Sequence, residues 1–169
     1  MKNKLIILLL ISYSCILLAQ KEILKDDIFL NRTFSQDWVY GLNSMNDGLH
    51  YTTLEYGDTV SIEKHNYKSG KVVSVILKSS DIDLQFNGYK FNSNESLLLL
   101  EAETEKLYRH STKSIYYIFD TESKKLMKIS DKKIRLAEFS PNSQYVSYIY
   151  RNNIYAYNIK NGETTKITH

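Results

Sequence analysis

"FNSNESLLLLEAETEKLYRHSTKSIYYIFDTESKKLMKI", Phe91 to Ile129, is the stretch on which the fold turns. It holds two strand-like runs, Leu97-Leu98-Leu99-Leu100 and Ile115-Tyr116-Tyr117-Ile118-Phe119, separated by a polar excursion in which Arg109 and His110 stand side by side. A plain hairpin needs two to five turn residues. The excursion is longer than that, so it is expected to carry something besides a turn. Ahead of the leucines lies a Ser/Asn turn, and after Phe119 the phrase "DTESKKLMKI" turns into a short closing strand. The unit therefore reads as four strands: one into a turn, an apolar one, a tyrosine-rich one and a closing one.

The same phrases recur on both sides. "FSPNSQYVSYIY" from Phe139 matches "FNSNESLLLL", and "NYKSGKVVSV" from Asn66 and "NIKNGETTKI" from Asn158 match "DTESKKLMKI". Each of the last three has Asp or Asn, three residues to the turn tip, and a closing strand ending at Val75, Ile129 or Ile167. Asp47-Gly48, between "WVYGLNSM" and "LHYTTLE", is the strongest hairpin signal in the chain. Three units follow, at 33–79, 80–130 and 131–169. Four-stranded antiparallel units at such a period are the signature of a β-propeller. A β-sandwich would not explain the repeated second turn, and helical periodicity is missing. The expectation is an all-β chain, a partial β-propeller of about three four-stranded antiparallel blades. Propellers close with about four to eight blades, so the sequence is expected to be the front end of something longer.

Its own beginning reads differently. Met1-Lys2-Asn3-Lys4 is a short basic region, Leu5 to Leu18 is nearly unbroken apolar sequence, and Ala19 offers a small residue for cleavage before Gln20. That is the order of a secretory signal peptide, residues 1–19, and the apolar run of about 14 residues is short for a bilayer span. Export is expected, and the reading leaves open the periplasm, the extracellular space and a membrane surface. The only cysteine, Cys15, leaves with the leader, so residues 20–169 are expected to hold together by burial without disulfides or a cysteine-based metal site. Lys2 and Lys4 leave as well, so 22 basic residues become 20 against 19 acidic ones, a net charge of +1. No basic surplus then argues for nucleic acid. The 14 tyrosines are expected to pack on sheet faces.

"FSPNSQYVSY", "NNIY" at Asn152 to Tyr155 and the closing "ITH" resemble the propeller of dipeptidyl-peptidase IV enzymes, serine peptidases of the prolyl oligopeptidase family. "WVYGLNSMNDGLHYTTL" from Trp38 is similar to the first-blade segment of the bacterial members, and "YRHS" at Tyr108 to Ser111, followed by "YYIFD", resembles the family's arginine-bearing excursion from the second blade. The resemblance implies an N-terminal propeller portion of an enzyme that removes N-terminal dipeptides with proline or alanine second. It implies a peptide partner with a free N-terminus, no cofactor and no metal, and it leaves room for a homodimer of the parent. It also implies that Arg109 lies at the substrate's N-terminal end and donates to the backbone carbonyl of the second residue. A guanidinium suits that task, offering several donors in a plane and a permanent charge. His110 is given no chemistry.

Some family features are missing. The nucleophile turn G-x-S-x-G is absent, since Gly41, Gly48, Gly57, Gly70, Gly88 and Gly162 never flank a serine at that spacing. "DWVY" at Asp37 to Tyr40 is followed by Gly41 and Leu42 where the family has two glutamates, so it reads as a chance likeness with a structural Trp38. No catalytic residue is therefore expected in this chain. Asn31-Arg32-Thr33 and Asn94-Glu95-Ser96 fit a common glycosylation pattern, the four histidines stand at no metal-ligand spacing, and Glu101, Glu103 and Glu105 are expected on one solvated strand face. A stand-alone propeller-like binding module without peptidase activity is the alternative function.

Overall fold

The computed structural model describes residues 23–36 and 38–168. The expected leader and its cleavage site lie outside them. The chain divides into two compact units, 1–38 and 39–169. In the first, α1 (Lys25–Phe29) is a single turn whose N-terminal Leu24 N–H donates to the Asp27 carboxylate at 3.1 Å. Trp38 is 74% exposed, which corrects the expectation that it packs structurally.

The second unit is all β. Its twelve strands are β1 (Tyr40–Ser44), β2 (His50–Tyr56), β3 (Val60–Asn66), β4 (Val72–Lys78), β5 (Gly88–Phe91), β6 (Leu97–Tyr108), β7 (Ser111–Asp120), β8 (Leu126–Lys128), β9 (Arg135–Phe139), β10 (Tyr145–Tyr150), β11 (Asn153–Asn158) and β12 (Thr164–Lys166). They form three four-stranded sheets, β1–β4, β5–β8 and β9–β12, each an antiparallel meander in chain order. The partial propeller with three four-stranded antiparallel blades is therefore present.

Turn chemistry explains why each sheet is a meander. In all three, the residue opening the β3–β4, β7–β8 or β11–β12 turn is Asn66, Asp120 or Asn158. Its side-chain oxygen accepts the N–H groups two and three residues on, at 2.9–3.3 Å. Its own N–H and C=O close the turn through Lys71 and Gly70, Lys125 and Lys124, or Glu163 and Gly162. An Asx side chain does this because it mimics a backbone carbonyl one turn early. The residue four positions after the opening one sits in the left-handed region, φ +66 at Gly70, +59 at Lys124 and +75 at Gly162.

The four leucines become intelligible once the sheets are stacked. Leu98 and Leu100, with Phe119 of β7, bury against Leu54, Ile62 and Leu77 of the first sheet and Phe86 of the connection. Leu99, with Tyr116 and Ile118, buries against Ile134, Ala137, Val146 and Tyr148 of the third. The middle sheet is covered on both faces, so alternation disappears and β6 reads as a continuous apolar run. Full burial of each such side chain contributes about 1.5–3 kcal/mol. The outer sheets are covered on one face only. Val72, Val73 and Val75 of β4, and Leu136, Tyr145 and Ile154 of the third sheet, are each at least two-fifths exposed.

Polar ties join neighbouring sheets along their first strands and first turns. Tyr89 Oη of β5 donates to the Gly41 carbonyl of β1 at 2.6 Å and lies 2.7 Å from Thr52 Oγ1. Lys90 of β5 pairs with Glu138 of β9. Asn46 donates its N–H to Glu95 at 2.6 Å and its side-chain amide to the Ser93 carbonyl at 2.9 Å, and the Ser93 and Ser143 hydroxyls lie 3.1 Å apart.

Candidate functional site

Only part of the β6–β7 ladder belongs to the sheet. β5 pairs with Leu98 to Glu101 and β8 with Tyr117 to Phe119. Beyond Ala102 and Ile115 the two strands pair with each other out to Tyr108 opposite Ser111, and the one further backbone pairing is the isolated bridge from Ser114 to Ile134. The loop between them is Arg109-His110 alone. The long polar excursion expected from the sequence is thus a two-residue turn, and the extra length lies in a two-stranded arm of about 15–20 Å. Tyr108 is 81% exposed, and Arg109 and His110 beside it are exposed too.

The arm's register shifts twice, between Ala102 and Glu105 and between Lys106 and Tyr108. The first shift carries Glu103 at φ +50. A bulge of this kind adds a residue to one strand, reverses its side-chain parity and increases twist. Consequently the three glutamates do not share one solvated face, as their alternation had suggested. Glu101 Oε1 accepts the Ser114 hydroxyl at 2.6 Å and lies 3.2 Å from Thr104 Oγ1. Glu105 instead spans Lys113 at 2.9 Å and Lys133 at 3.5 Å. The Lys113 ammonium, opposed by slight desolvation, holds the Glu105 carboxyl below its usual range.

The root of the arm is fixed to the third sheet. Ser114 and Ile134 exchange both backbone hydrogen bonds at 2.9 Å, and Ser114 is fully buried. Arg135 then donates from Nη2 to Ser111 Oγ at 2.9 Å. Tyr116, beneath the arm, has its phenol pushed up to about 12 by burial and by the Glu101 charge. The arm can therefore hold a charged, many-donor group out in solvent on a base that does not move freely. Among the described residues no three of His, Cys, Asp and Glu converge on a metal-sized site.

The family model for the dipeptidyl peptidase IV (DPP IV) N-terminal region matches residues 92–169. Over those residues the chain is similar to the dipeptidyl peptidase IV N-terminal region. The match takes in the arm and the whole third sheet. Dipeptidyl aminopeptidase B of Saccharomyces cerevisiae is 28% identical over 149 residues, covering 88% of this chain and 16% of that protein. The crystal structure of Porphyromonas gingivalis dipeptidyl peptidase 4 superimposes with a TM-score of 0.72 at 26% identity, over 89% of this chain and 22% of that one. TolB from Acinetobacter baumannii, at 15% identity and a TM-score of 0.53, covers 79% of this chain and 33% of its own and shares the fold alone. The chain spans about a sixth of the length of the curated relatives it matches.

Arg109 stands on the turn of the arm, in the second sheet and inside the matched region. The sequence did not reveal a second group of cations, Lys113, Lys133, Arg135 and Arg151. These come from three separate segments, and no motif links them; only the Ser114–Ile134 bridge and the β9–β10 pairing bring them together.

Proposed function

We propose that this chain supplies the N-terminal propeller portion of an exported dipeptidyl peptidase IV-like serine exopeptidase, which removes N-terminal dipeptides with proline or alanine second. In that reading Arg109 donates to the backbone carbonyl of the substrate's second residue, and the hydrolytic residues are outside these 169 positions. The observation that carries it is the arm: an arginine on a two-residue turn, raised clear of the sheet by strands that, past the Ser114–Ile134 bridge, pair only with each other. A surface arginine without a ligand would need no such extension. The partner is a peptide with a free N-terminus, and the parent leaves room for a homodimer.

Two measurements test this. The chain alone, given a Gly-Pro chromogenic amide, is expected to release no product; turnover stopped by a serine-directed inhibitor would overturn the reading. In the parent enzyme carrying this segment, Arg109→Ala removes a charged donor worth about 1.5–3 kcal/mol. The expected fall in kcat/KM is roughly 10- to 150-fold. Unchanged kinetics would return Arg109 to an ordinary surface role.

A further inference from the structure

Between the second and third sheets, at the root of the arm, lies a cleft of about 350 Å³ lined by Lys113, Lys132, Lys133, Arg135, Ile149, Tyr150 and Arg151. Five of these seven side chains are cations. Glu105 is the one carboxylate that pairs with any of them among the described residues, and it is shared between Lys113 and Lys133. We propose that this cleft is a binding site for an oxyanion group, a carboxylate or a phosphate, seated on the Arg135 guanidinium.

Three observations converge. The first is local charge: like cations repel, and gathering five around one recess is unfavourable unless anions offset them. One glutamate offsets only part. The second is Arg135 itself. Its Nη2 donates to Ser111, but its Nε is buried and has no acceptor among the described residues. A guanidinium left with an unmatched donor is the group that a two-oxygen ligand completes, because its planar fork pairs with carboxylate and phosphate alike. The third is shape. The cations line a recess walled by strands β7, β9 and β10, with Arg151 lying over the Tyr150 ring at 5.4 Å, rather than a flat face. A recess of this size has room for one anionic group. None of this uses Arg109 or peptide hydrolysis.

Equilibrium dialysis of the full chain at low ionic strength tests the site, since its readout does not depend on association state or on peptidase activity. The probes are inorganic phosphate and triglutamate, with triglutamine as the uncharged control. Saturable binding near one equivalent of phosphate, triglutamate or both is expected, with none of triglutamine; binding of only one anion identifies the headgroup preferred. Arg135→Met should weaken binding at least tenfold, and Arg151→Met, on an exposed position less able to disturb folding, severalfold. Glu105→Gln should strengthen it severalfold by releasing Lys113 and Lys133. Absence of binding to both anions overturns the proposal. So does binding that Arg151→Met and Glu105→Gln both leave unchanged.

Discussion

Asp120 shows how one residue type can be read, substituted and tested. It stands where the first and third sheets have Asn66 and Asn158, and all three accept the same two backbone N–H groups. The charge is therefore not needed for the turn. It has a cost in acid, because the Ser123 and Glu122 N–H groups hold the Asp120 carboxyl below its usual range. A group whose folded pKa is depressed contributes stability above its unfolded pKa and loses it as pH falls through the folded one. Asp120→Asn should keep the turn and remove that dependence. The gap between wild type and variant in thermal melts should then narrow from pH 5 to pH 2, and a gap constant with pH would refute the assignment. This turn was legible in sequence because Asx chemistry is local. The first turns were legible in all three units, Asp47-Gly48 as a hairpin signal, but only two of them could be matched to each other. Gly48, Glu95 and Ser143 share one left-handed position and one hydrogen-bond pattern, but "MNDG" has no letter pattern in common with "NSNE" or "SPNS".

At the scale of the element, β6 holds both the best-read and the worst-read parts of the chain. Its leucine run signals double burial, and the structure delivers it. Leu98→Ala and Leu99→Ala each open a cavity in a different core and should each cost about 2–5 kcal/mol in denaturant melts. Leu136→Ala, 65% exposed on β9, should stay within about 0.5 kcal/mol. Comparable losses at all three positions would mean that the middle sheet is not sandwiched. Three residues after Leu100, parity fails. Alternating glutamates predict one face, but the bulge at Glu103 turns Glu101 toward Ser114 and Glu105 toward Lys113. A bulge is chosen by the cross-strand partners of the folded arm, and nothing local in "EAETEK" announces it. The same cause hid the cationic cleft, whose members meet only after the second and third sheets have packed.

For the whole molecule, the three sheets and their order were readable from repetition, since each sheet is built from neighbouring sequence. What repetition leaves unanswered is how the end sheets manage their outer faces. Val72, Val73 and Val75 on one side and Leu136, Tyr145 and Ile154 on the other remain substantially in water. Exposed apolar area of this kind drives association. Residues 20–169 should therefore self-associate and melt broadly, with the segment from Leu84 to Ile167 the most protected in hydrogen exchange. A monodisperse monomer by light scattering, with one sharp transition, would mean that these faces are adequately solvated as they stand.

The paired arm also behaves as a ruler. Past the Ser114–Ile134 bridge the backbones of β6 and β7 pair only with each other, and side-chain direction repeats every two residues. Taking two residues from each strand would draw the Arg109 turn back by about 7 Å while every side chain that remains keeps its face. Adding two to each would advance it by as much. The distance at which a guanidinium is offered can thus be set in fixed steps by insertion or deletion outside the buried Ser114–Ile134 bridge.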